Sequence, residues 1–117
     1  YYGVCTPAEE RDFLTAYQDG VQVHAAESAL SNAESNVRMA AARIRDREDK
    51  LEAKERELRQ DGLSREERDR IRERIREVRG ELRDARVSLR EAEYALRSIE
   101  YDARMVIRTV GSRYGVW

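Results

Sequence analysis

From Ile71 to Val110, positions taken alternately four and three residues apart are Ile71, Ile75, Val78, Leu82, Ala85, Leu89, Ala92, Leu96, Ile99, Ala103, Val106 and Val110. All twelve are apolar, and nearly everything between them is charged or polar. A spacing averaging roughly 3.5 residues, kept over this length, predicts one long helix that lays a narrow seam against a partner helix. A strand would show alternation at period two, and none is present.

A second seam precedes it: Val23, Ala26, Leu30, Ala33, Val37, Ala40, Ile44, Arg47, Leu51, Lys54 and Leu58. Nine of these eleven are apolar, and Arg47 and Lys54 are expected to lay their stems on the seam and lift their charges out. Thr6-Pro7-Ala8-Glu9 reads as a helix start, with a capping hydroxyl, a proline in the first turn and Glu at capping-box spacing. Gln60-Asp61-Gly62-Leu63-Ser64 interrupts the pattern. Gly62 is expected just past a helix end, and Ser64 with Glu67 repeats the capping-box spacing. So short a connection forces antiparallel neighbours.

The predicted fold is therefore all-α, a long antiparallel two-helix hairpin of coiled-coil type. Residues 1–6 are extended, 7–60 form the first helix, 61–64 the loop, 65–110 the second helix and 111–117 a tail, all one domain. A register that sets Leu58 against Ile71 also sets Leu51 against Val78, Ile44 against Ala85, Ala40 against Leu89 and Ala33 against Leu96. In the middle of the hairpin, large residues mostly face small ones, which packs without voids. Gly20, a weak point in a helix interior, falls near Thr109 in this register and is expected to permit close helix approach.

Charge changes the picture by its distribution. Charged residues make up 40% of the 117, with 23 basic and 24 acidic, so the net charge is −1. That balance gives no general attraction to nucleic acid or anionic membrane. Between Arg45 and Asp84, 28 of 40 residues are charged, 14 of each sign, and Glu and Arg recur three or four apart as solvated-helix pairs. All eight aromatic residues lie outside that stretch: Tyr1, Tyr2, Phe13, Tyr17, Tyr94, Tyr101, Tyr114 and Trp117. Leu14, Val21, Met39, Met105 and Ile107 lie off the seams there too. The half carrying both termini thus has more apolar surface than a two-helix seam hides. Either the terminal segments fold over it as a local core, or it is a docking or self-association patch.

Candidate chemistry is sparse. His24 has no second His or Cys nearby and reads as a surface or boundary histidine. The carboxylates are matched by arginines, without the paired acids in a pocket that acid–base catalysis needs. Phosphate loops, nucleophile elbows and metal-spaced Cys/His sets are absent from the sequence, so no catalytic, cofactor or metal residues are assigned. The arginine face from Arg65 to Arg90 reads as salt-bridged surface rather than an RNA-binding arm. Interleaved acids cancel its field, and no aromatic stands among those arginines to stack on bases. Cys5, the only cysteine, is either a free thiol or half of a bridge to a segment outside the chain. The chain begins at Tyr1 without Met, which suggests a piece of a longer protein.

Tyr2-Gly3-Val4-Cys5 with Pro7, followed by Phe13-Leu14-x-Ala16-Tyr17-x-Asp19-Gly20, resembles a domain-of-unknown-function family of Gram-negative envelope lipoproteins. Members carry a lipobox signal peptide, a Tyr-x-Gly-Val-Cys-Pro segment, an Ala-Tyr-x-Asp-Gly segment and a long Arg/Glu/Ala/Leu helical tail. Here Thr6 separates Cys5 from Pro7, and the specific match spans about the first twenty residues. The resemblance implies export to an oxidising compartment and tethering at the membrane through a lipidated upstream cysteine. It also implies that Cys5 pairs with an upstream cysteine. It brings no activity.

The function expected is thus a non-catalytic structural or interaction module of an exported envelope protein, in the periplasm or at the outer membrane. It is expected to meet a protein partner, or a second copy in a homodimer or four-helix bundle, through Tyr2, Phe13, Tyr17, Tyr94, Tyr101, Tyr114 and Trp117. Membrane contact runs only through the anchor, and no cofactor is expected. The alternatives are a cytoplasmic coiled-coil adaptor and, less favoured, an RNA-binding hairpin arm.

Overall fold

The computed structural model describes residues 6–115, so Tyr2, Cys5 and Trp117 lie outside the described residues. Two helices account for nearly all of it, α1 (Pro7–Leu58) and α2 (Arg65–Arg113), joined by a short connection into an all-α helical hairpin.

Both helix starts form as their caps dictate. The Thr6 hydroxyl accepts from the Glu9 amide at 3.2 Å, and the Ser64 hydroxyl from the Glu67 amide at 3.1 Å. Each bond satisfies one of the amides that a helix start leaves without an intrahelical acceptor. The end of α1 comes two residues before the expected boundary. Its last turn tightens, with the Arg59 and Gln60 amides bonding carbonyls three residues back. This leaves Gly62, at φ +82°, to make the left-handed turn of the connection rather than the residue just past the helix end. At the other end, α2 continues three residues beyond Val110, through a buried Gly111, to Arg113.

The chain packs as two compact units. A loop unit comprises Glu34–Ala95, and a terminal unit comprises the chain up to Ala33 together with the chain from Leu96. Every seam position named above, on both helices, is buried or half-buried. In the loop unit the deepest residues are Ala40, Ile75, Val78, Leu82 and Ala85, with Val78 fully enclosed. Ala40 and Ala85, small as they are, are also closed off from solvent. Arg47 and Lys54 are half-buried. Lys54 Nζ reaches Glu57 at 3.1 Å, and Arg47 Nε lies 2.9 Å from the buried Glu81 Oε2 on α2. That approach is off the hydrogen-bond line, so charge alone compensates the buried oxygen. The Arg65–Arg90 face is laced with carboxylates, including Arg72–Asp69, Arg76–Glu73 and, between helices, Arg79–Glu55.

In the terminal unit the buried apolar residues are Ala33 and Ala103. Gly20 does not serve as a point of close approach. It is exposed, with open space where a Cβ would stand. The seam steps back from Val23 by four residues to Asp19, which turns Gly20 outward.

Candidate functional site

Asp19 is the buried charged residue of the terminal unit, 2% exposed. A carboxylate at such depth needs donors, and α2 supplies two from its last turn and the residue after it. Arg113 donates through Nη1 to Oδ1, and the Tyr114 hydroxyl donates to Oδ2 at 3.0 Å. Withdrawal from water and this hydrogen bond raise the Tyr114 pKa above its ordinary value of 10.0. The turn that brings Tyr114 into place is closed by its amide bonding the Gly111 carbonyl and by Gly115 at φ +70°. The three side chains form a clasp between the start of α1 and the end of α2.

Asp19 carried a legible signal that the apolar pattern hid. It continues the α1 seam, and an acid on a seam demands a cation opposite. Arg113 is that cation, but a helix predicted to end at Val110 leaves it in the tail.

Next to the clasp, Ala25, Ala26 and Ala29 face Ile99, Ala103 and Val106 across an open groove of about 330 Å³. The register sets Ala26 against Ala103, and two methyl groups do not fill the space that an alanine and a leucine fill elsewhere. Asp102 at the rim is the one charged residue lining the groove.

The aromatic residues stand elsewhere. Tyr17 precedes buried Asp19 by two residues and Tyr101 precedes buried Ala103 by two, about 200° of helical rotation. Both rings therefore point away from the seam, on opposite sides of the terminal unit, at 65% and 63% exposure. Phe13, Leu14 and Val21 share the Tyr17 side of α1, and Met105 shares the Tyr101 side of α2, all exposed. Tyr114 is half exposed with its hydroxyl committed to Asp19. Tyr94 is exposed too, but it belongs to the loop unit. The expected interaction residues thus resolve into an α1 face, an α2 face, a clasp member and a separate tyrosine rather than one patch.

His24 is exposed, and no three His, Cys, Asp or Glu residues converge among the described residues. No described helix is long and apolar enough to cross a membrane. No family model, curated protein or solved structure matches the chain.

Proposed function

We propose that this chain is a non-catalytic interaction module, a helical hairpin that docks protein through the aromatic faces of its terminal unit. One observation carries the reading. Phe13, Tyr17 and Tyr101 stand more than half exposed on the sides turned away from the seam, where the hairpin's own packing has no use for them. Exposed aromatics at adjacent helical turns are what a helix offers to another protein surface. The loop unit, which is dense in charge of both signs and pairs Arg56, Arg74 and Arg76 with carboxylates of their own helix, is the solvated part of the module. Resemblance of the opening residues to envelope lipoproteins supports placing it in the periplasm, anchored through a lipidated cysteine upstream.

The test is a photo-reactive residue placed singly at position 17, 101 or 66 in cells that make the protein. Adducts are expected from 17 and 101 and not from 66, in the charged loop unit. Adducts from none of the three, or from 66 alone, would overturn the reading.

A further inference from the structure

The two aromatic faces of the terminal unit carry opposite charge. Beside Phe13 and Tyr17, the first turns of α1 hold Glu9 and Glu10, neither of which has an ion-pair partner among the described residues. Beside Tyr101 and Met105, α2 holds Arg97, Arg104 and Arg108, likewise exposed and without a carboxylate partner among the described residues.

The faces also match in length and order. Glu10, Phe13, Tyr17 and Val21 recur at three- and four-residue steps along one side of α1. Arg97, Tyr101, Met105 and Arg108 do so along one side of α2. Laid antiparallel, a single register, distinct from that of the seam, sets Glu10 against Arg108, Phe13 against Met105, Tyr17 against Tyr101 and Val21 against the stem of Arg97. Within one chain the two faces cannot meet, because each stands about half a turn from the seam on its own helix.

We propose that a second copy of this chain is the occupant, the α1 face of one copy docking antiparallel on the α2 face of the next. The proposal rests on the docking role assigned above and adds the partner's identity and the pairing. Since each face meets a different face, the contact is heterologous and each docked copy presents the face needed for another. Association proceeds head to tail rather than stopping at a dimer. The Glu10–Arg108 pair selects the register, and the rings supply the buried area.

Sedimentation velocity of the full chain over a concentration series, at low and high salt, tests this. Average mass is expected to rise with concentration and to fall with added salt. Glu10→Arg and Arg108→Glu should each weaken association by about tenfold or more, with helicity unchanged because both positions are exposed. The double variant should regain it. An equimolar mixture of the two single variants should also regain association, in alternation, since every contact between unlike copies then joins opposite charges at positions 10 and 108. A wild-type chain that stays monomeric throughout, or single reversals without effect, overturns self-docking. Photo-adducts from position 17 to a different protein by a monomeric chain would overturn self-docking alone. A monomeric chain with no adducts at all would overturn the docking role as well.

Discussion

Asp19 is held where water cannot reach it, and its two donors come from the last turn of α2 and the residue after it. Replacing it with Ala leaves the Arg113 and Tyr114 donors without their acceptor. The terminal unit should lose about 2 kcal/mol, within the range for hydrogen bonds to a charged group. Hydrogen exchange checks this, with faster exchange expected near the end of α2 and little change around Val78. Tyr114 gives a pH signature. Burial and the bond to Asp19 favour its neutral form, so its folded pKa lies above the unfolded value. The stabilisation from that shift is complete below the ordinary tyrosine pKa of about 10 and disappears as pH climbs through the raised value. The tyrosinate absorbance of the wild type minus that of Tyr114→Phe should titrate above the ordinary tyrosine value. Val78 makes the contrast at this scale. Its burial was legible because apolar residues recur around it at fixed spacing, whereas Asp19 breaks that chemistry while keeping the spacing.

Along α1, the seam alternates Ile44, Leu51 and Leu58 with the long stems of Arg47 and Lys54 near the connection, and Val23, Leu30 and Val37 with alanines nearer the start. Ala40 is closed off from solvent, whereas between Ala26 and Ala103 a groove remains open. Ala26→Leu should fill part of it and raise the stability of the terminal unit by about 1 kcal/mol. Urea unfolding followed by helicity measures the effect, and a lower midpoint would mean that the site resists the added volume. The ends of the elements were readable where a side chain forms the cap, as at Thr6 and Ser64. They were less readable where the backbone closes itself. The tightened last turn of α1 and the clasp that extends α2 to Arg113 both depend on hydrogen bonds that residue type does not announce.

At the scale of the molecule, the two units differ in what they bury. The loop unit encloses Ile75, Val78 and Leu82, and the terminal unit encloses two alanines and a carboxylate. Burial of larger apolar side chains stabilises more, at about 25 cal/mol per Å². Amides of the loop unit's helices should therefore exchange more slowly than those of the terminal unit, and the reverse order in a peptide-resolved exchange experiment would contradict this account.

The linear pattern was enough to specify two helices and their antiparallel pairing, because both follow from a repeat that every seam residue restates and from the short break between its two runs. Caps and turn chemistry, being local, were written there as well. Folding decided what depends on residues far apart in the chain. It set Asp19 against Arg113 and Tyr114, turned Gly20 outward and left Ala26 facing Ala103 across a gap. It also divided the aromatic residues between two sides of the terminal unit and left Tyr94 in the other unit. A spacing rule says which residues share a helix face. Which face of the other helix lies opposite, and whether its side chains fill the space, is settled only when the two helices pack.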